Sequence, residues 1–63
     1  MLDLSDLIIQ NPQINSFNEL LTEVRRRASA GEIHLQFDIK PDYRDTPRNW
    51  QWVIETAFYQ GTR

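Results

Sequence analysis

Cysteine is absent from this 63-residue sequence, and histidine occurs only once. Without cysteine the chain has no disulfide, no thiolate metal site and no cysteine nucleophile. A structural zinc ion would need carboxylate ligands beside the one histidine, which is unusual in proteins. We therefore expect no metal site and no cofactor, and the missing cysteine is consistent with a cytoplasmic protein.

Long hydrophobic runs are also missing, since the longest contain three residues, as in Leu7-Ile8-Ile9. A membrane-spanning helix needs about 20 apolar residues. A secretory signal begins with positive charge, whereas this sequence begins MLDLSD. We expect neither a membrane partner nor a signal peptide.

Neither sign of charge dominates, because seven basic and nine acidic side chains give a formal net charge of −2. Nucleic-acid-binding domains are usually basic, so this balance argues against nucleic acid as the main partner. The two glycines form no phosphate-binding loop, and no serine stands at a position typical of a triad with His34. We expect no catalytic residue and no enzyme activity, with His34 a solvated surface residue.

The length allows a single domain, residues 1–63, and the 40% apolar and 25% charged residues are ordinary for a folded protein. A domain of this size buries only about 60% of its unfolded surface. Such domains usually gain stability from disulfides, a metal or another subunit. Of these only association is left, so we expect a homo-oligomer, most simply a homodimer.

Residues 16–31 carry the clearest pattern of an amphipathic helix. Ser16 followed by Glu19 is a capping box, in which each side chain satisfies a free backbone amide. Gly31 suits the C-terminal stop, because it adopts a left-handed backbone without strain. The apolar side chains recur at helical spacing and form one stripe: Phe17, Leu20, Leu21, Val24 and Ala28.

Residues 32–40, EIHLQFDIK, alternate strictly between polar and apolar side chains. This period of two predicts a strand with one buried face, made by Ile33, Leu35, Phe37 and Ile39. Pro41 cannot donate to a ladder of hydrogen bonds and should end the strand.

Residues 46–61 predict a second amphipathic helix, with Asp45 or Thr46 as N-cap, Pro47 in the first position and Gly61 as the stop. Its inward stripe consists of Trp50, Val53, Ile54, Ala57 and Phe58. Trp52 and Tyr59 are seven residues apart and share the opposite face.

The first ten residues fit two interpretations. Leu4, Leu7 and Ile8 fit a helical turn capped by Asp3 or Ser5, whereas residues 6–10 also fit a short strand, which we prefer. The fold class is α+β: two amphipathic helices packed on a long strand with a short N-terminal strand or turn, in the order β-α-β-α or α-α-β-α.

A lone strand leaves its backbone groups unpaired, and each buried unpaired group costs about 1–3 kcal/mol. Three arrangements would satisfy residues 32–40. The N-terminal segment can pair with them in parallel, a second copy can pair with them antiparallel about a twofold axis, or another protein can donate a strand. The mixed charges of the polar face are also typical of a free strand edge, which is consistent with a monomer.

Candidate binding residues lie on the second helix and on the loop before it. Trp52 and Tyr59, with Glu55 between them, place large aromatic rings on a face that should meet solvent, as in protein interfaces. Tyr43 and Arg44 lie in a polar loop with prolines at both ends, where binding residues are common.

The hypothesis that follows is a non-enzymatic protein-interaction module: a regulator, inhibitor or accessory subunit that binds a partner protein through a strand edge and the exposed aromatic face. The alternative is a nucleic-acid-binding regulator in which arginines contact phosphates: Arg25, Arg26, Arg27, Arg44 and Arg48. Three consecutive helical arginines point about 100° apart, however, so Arg25 to Arg27 do not form one patch.

Overall fold

The computed structural model describes residues 2–62 and has two short strands and three helices. In chain order these are β1 (Leu2–Asp3), α1 (Leu4–Gln10), α2 (Phe17–Ser29), β2 (Leu35–Gln36) and α3 (Trp50–Gly61). The α+β class is confirmed, but the order β-α-α-β-α differs from both predicted orders, because the first ten residues contain a strand and a helix.

The strands β1 and β2 form a parallel pair, with Leu2 opposite Leu35 and Asp3 opposite Gln36. Pairing of the N-terminal segment with the 32–40 region in parallel is therefore observed. The segment that pairs is β1, and the preferred strand over residues 6–10 is wrong. A helix there places Leu4 and Leu7 on one side, where both are fully buried, whereas a strand would point them to opposite faces.

Helix α2 has the predicted start, stop and inward face. The Ser16 hydroxyl accepts from the Glu19 amide at 3.1 Å, and the Glu19 carboxylate accepts from the Asn15 amide at 3.0 Å. Gly31 follows the helix with a φ of 112°, a conformation that favours glycine. All five residues of the predicted apolar stripe are buried.

The predicted long strand over residues 32–40 is wrong, because among residues 2–62 the structure pairs only Leu35 and Gln36 of this segment. Leu35 and Phe37 are half-buried, but Ile33 is 76% exposed and Ile39 is 43% exposed. The reason is that β1, the strand paired with β2, has only two residues. The rest of residues 32–40 therefore have no strand to pair with among residues 2–62.

Helix α3 begins at Trp50, after Asn49, and not at Thr46 after an Asp45 cap. The Asp45 carboxylate caps α2 instead, where it accepts from the amides of Phe17 at 2.6 Å and Asn18 at 3.2 Å. The free amides and positive dipole end of α2 attract that carboxylate. Pro47 is therefore not the first residue of α3.

The segment between β2 and α3 caps α1 as well. The Asp38 carboxylate accepts from the Ser5 amide at 2.9 Å and from the Ser5 hydroxyl. These bonds lower the pKa of Asp38, and the amides of Phe17 and Asn18 lower the pKa of Asp45. Two carboxylates thus fasten this irregular segment to the starts of two helices.

Helix α3 ends at Gly61, the predicted stop, and α2 passes directly against this residue. A Cβ atom there would lie 2.4 Å from the Arg25 carbonyl oxygen and 2.7 Å from the Ala28 Cβ. The Ser29 hydroxyl donates to the Gly61 carbonyl at 2.8 Å. Glycine is therefore needed here for close packing of α2 on α3.

The core lies where α2 packs on α3, with α1 and β1 completing it. Of the predicted inward stripe of α3, Ile54, Ala57 and Phe58 are buried, whereas Trp50 and Val53 are half-buried. The buried hydrophobic side chains are Leu2, Leu4, Leu7, Phe17, Leu20, Leu21, Val24, Ala28, Ile54, Ala57 and Phe58.

Candidate protein-binding surface

The outer face of α3 presents two large aromatic side chains to solvent. Trp52 is 65% exposed and Tyr59 is 70% exposed. Glu55, also exposed, lies between them on the helix. Because Ile54 and Phe58 are buried on the core side, the helical period directs these three side chains outward. The exposure of the predicted aromatic face is therefore as the sequence indicated.

A shallow depression of about 240 Å³ adjoins this face, and we call it the α3 groove. Glu55 and Tyr59 belong to both the exposed face and the groove, whereas Trp52 lies outside it. One wall comes from the chain around β2 and the other from α3, with these lining residues: Ile33, His34, Leu35, Phe37, Glu55, Phe58 and Tyr59.

The outer edge of β2, which faces away from β1, pairs with no third strand of residues 2–62. The His34 carbonyl accepts from the Leu2 amide at 2.9 Å, so it points toward β1. Backbone groups alternate between edges along a strand, which directs those of Leu35 to the outer edge. Neither residue of β1 lines the α3 groove, which among residues 2–62 is formed by the chain around β2 and by α3.

The α3 groove is lined by both apolar and ionisable side chains. Its side chains are mostly apolar, and its ionisable groups are His34, Glu55 and the Tyr59 phenol. Small-molecule sites usually enclose roughly 300–1,000 Å³, more than the 240 Å³ of this depression. The groove can take one or two apolar side chains beside a backbone edge that accepts and donates hydrogen bonds.

The loop residues predicted to bind a partner lie apart from the α3 groove. Tyr43 is half-buried against the core, and burial, with the nearby Glu19 carboxylate, raises its pKa. Its amide donates to the Thr46 hydroxyl at 3.0 Å, which closes the turn that contains Arg44 and Asp45. Arg44 is exposed in that turn, but neither Tyr43 nor Arg44 lines the groove.

The arginines at the end of α2 are engaged with neighbouring side chains. Arg26 and Arg27 each donate through Nε to the Glu23 carboxylate at 3.0 Å. These contacts lower the pKa of Glu23, and the hydrogen bond from Arg26 has the largest effect. Arg27 also donates to Gln10 at 3.1 Å, and Arg25 donates to Gln60 at 3.1 Å.

Arg44 and Arg48 do not join this arginine run. Asp45, which lies between them in the sequence, accepts a hydrogen bond from the amide of Phe17, the first residue of α2. Arg25 to Arg27 lie eight to ten residues after Phe17. At 1.5 Å per residue, the two groups are separated by about 12–15 Å along the helix. The five arginines are therefore spread over both ends of α2.

Part of this surface was not predicted from the sequence. Ile33 was placed on the buried face and His34 on the solvated face of one strand, yet both line the α3 groove. The alternation of residues 32–40 gives no signal that the segment leaves the sheet before and after β2. Tyr59 and Glu55 were found because helical spacing alone decides which side of α3 they occupy.

Within residues 2–62, no helix is both long and apolar enough to cross a membrane, and no group of three or more potential metal ligands converges. Comparison with family models, curated proteins and solved structures gives no match for this chain. The geometry of the α3 face and the outer edge of β2 therefore carries the functional argument.

Proposed function

We propose that this protein is a non-enzymatic protein-interaction module, acting as a regulator, inhibitor or accessory subunit. It binds a partner protein through the exposed aromatic face of α3, formed by Trp52, Glu55 and Tyr59, together with the α3 groove and the outer edge of β2. The observation that carries the proposal is the exposure of Trp52 and Tyr59 on one helix face, at 65% and 70%.

Large exposed aromatic side chains favour protein binding for an energetic reason. Trp and Tyr bury much apolar area while losing few rotatable bonds, and they are enriched among the residues that dominate interfaces. On this chain they adjoin the α3 groove, whose surface is partly apolar and partly polar, and the outer edge of β2, which pairs with no third strand among residues 2–62. A partner there gains side-chain burial and backbone hydrogen bonds together.

The arginines give less support to the nucleic-acid alternative. Two of the five donate to Glu23, and the set is divided between the two ends of α2. Binding through phosphates would weaken steeply as salt rises, because counterions are released from the nucleic acid. A contact that buries aromatic rings should change little over the same range of salt.

The test compares the capture of a partner protein by the immobilised wild-type chain with its capture by three immobilised single variants. We expect the wild type to retain a protein that Trp52→Ala and Tyr59→Ala lose, with affinity at least about tenfold weaker, as for residues that dominate an interface. Ile9→Ala is the matched control, because Ile9 is 73% exposed but lies on α1. It should retain the same protein as the wild type.

Circular dichroism must first show that each variant is folded. Capture of the same protein with equal affinity by the wild type, Trp52→Ala and Tyr59→Ala would contradict the proposal. Equal loss in the Ile9→Ala variant would contradict it too, because the effect would then not belong to the α3 face.

A further inference from the structure

We infer that the outer edge of β2 pairs antiparallel with the same edge of a second copy of this chain, about a twofold axis through Gln36. This inference rests on the proposed use of that edge for protein binding. It assigns the edge to self-association and leaves the Trp52 end of the aromatic face for a different protein.

The charges of residues 32–40 are self-complementary in this register. The acidic Glu32 meets the basic Lys40, and the imidazole of His34 meets the carboxylate of Asp38. Opposite charges directly across a strand pair stabilise the pairing, and like charges destabilise it. The cross-strand pairs are Glu32 with Lys40, Ile33 with Ile39, His34 with Asp38, Leu35 with Phe37, and Gln36 with itself.

Neighbouring registers lack this complementarity. An axis through Leu35 places Glu32 opposite Asp38, which brings two carboxylates together. An axis through Phe37 places His34 opposite Lys40. A twofold axis that passes between two neighbouring residues places polar side chains of one copy opposite apolar side chains of the other. Each face of the sheet would then carry both kinds of side chain. The axis through Gln36 is the one among these that satisfies both charge and face.

The backbone of β2 has the orientation that this register needs. In an antiparallel pair, residues that exchange two hydrogen bonds alternate with residues that exchange none. The His34 carbonyl points to β1, so the backbone groups of Leu35 point to the outer edge. Leu35 can therefore exchange two hydrogen bonds with Phe37 of the second copy, and the twofold axis repeats the exchange.

The register also covers the exposed isoleucines. Ile33 and Ile39, at 76% and 43% exposure, stand opposite each other across the axis. Ile33 lines the α3 groove beside Tyr59, so Ile39 of the second copy enters the same groove. A chain that pairs in this way buries two of the five large hydrophobic side chains that are exposed among residues 2–62 of the single molecule.

Two features of the single chain bear on the pairing. The Asp38 carboxylate already accepts from Ser5, but a carboxylate has about four acceptor positions and can take a further donor such as His34. Residues 32–34 and 37–40 lie outside β2 and the backbone bends at Ile39, so both segments must become extended when the second copy pairs. Hydrogen bonds in the Ile33–Ile39 pairs compensate for that change.

Charge reversal tests both the dimer and its register. We expect sedimentation equilibrium to give the wild type a mass of twice 7.5 kDa. Glu32→Lys and Lys40→Glu should each weaken the dimer by roughly tenfold, since each creates two like-charged pairs. An equimolar mixture of the two variants should associate as the wild type does, because every end pair is again of opposite charge.

The double variant carrying both reversals should also dimerise like the wild type, and Arg48→Glu, outside the paired segment, should have no effect. A mass of 7.5 kDa at every concentration up to several hundred micromolar would overturn the inference. So would a dimer that neither single reversal weakens, or a mixture that does not associate. A monomeric result would overturn the dimer but not the proposed function, because the capture experiment tests binding of a different protein.

Discussion

Replacing Trp52 and Ile54 by alanine compares two large side chains of α3 that face opposite ways. Ile54 is fully buried and Trp52 is 65% exposed. Truncating a buried isoleucine costs about 2–5 kcal/mol, because contacts are lost and a cavity remains. A buried tryptophan costs about 3–5 kcal/mol. Because only about one third of Trp52 is covered, Trp52→Ala should lose about 1 kcal/mol of stability or slightly more. The better helix propensity of alanine offsets a few tenths of a kcal/mol of this loss.

These losses are large relative to the whole domain. At roughly 0.05–0.15 kcal/mol per residue, the free energy of unfolding of a chain of this length is about 3–9 kcal/mol. We expect Ile54→Ala to lose about 2–5 kcal/mol of this free energy and Trp52→Ala about 1 kcal/mol, so that Trp52→Ala remains folded with a melting temperature lower by about 4–8 °C.

The assay is urea unfolding followed by far-ultraviolet circular dichroism, which does not depend on the tryptophan that is removed. The free energy of unfolding in water and the slope with urea should be compared for both variants and the wild type. If Trp52→Ala loses as much stability as Ile54→Ala, then Trp52 supports the fold. The exposed aromatic face of α3 would then not be available to a partner.

Two further predictions concern the contacts that join the elements. Hydrogen bonds hold the pKa of Asp38 and Asp45 below the usual 3.8, so their contribution to stability is complete well above pH 3.8 and is lost as the pH falls through the lower folded-state values. Acid unfolding of the double variant Asp38→Asn, Asp45→Asn should therefore depend less on pH, and an unchanged acid profile would contradict the capping role. Gly61→Ala should destabilise by about 1–3 kcal/mol, because its Cβ would meet the Arg25 backbone 2.4 Å away. Thermal melting would instead show a gain if α2 were not tightly packed there, since alanine is the better helix former.

The sequence predicts α2 well because several independent local signals agree there. The capping box at Ser16 and Glu19, the apolar stripe and Gly31 all mark the same helix. Local signals also show which side of α3 is exposed, since helical spacing separates Trp52 and Tyr59 from the core residues. These features depend on residues close together in the chain, and no distant contact overrides them.

Features that depend on distant contacts were mispredicted. Asp45 is a reasonable cap for a helix that follows it, but the start of α2 takes its carboxylate. Helix α3 does end at Gly61, but no local signal predicts the close approach of α2 that requires glycine there. The alternation of residues 32–40 indicates that they can form a strand but not whether a partner is available, and β1 pairs with only two of them. The α3 groove depends on all of these placements.

Site-specific photocrosslinking from the α3 groove tests most directly whether this surface binds protein. A benzophenone side chain at position 59, which is 70% exposed in the wild type, would react with whatever protein contacts the groove in the cell. The same group at position 9 on α1 is the control. We expect covalent adducts to a protein, either a second copy or a partner, from position 59 and none from position 9. Adducts from neither position, or the same adducts from both, would contradict it.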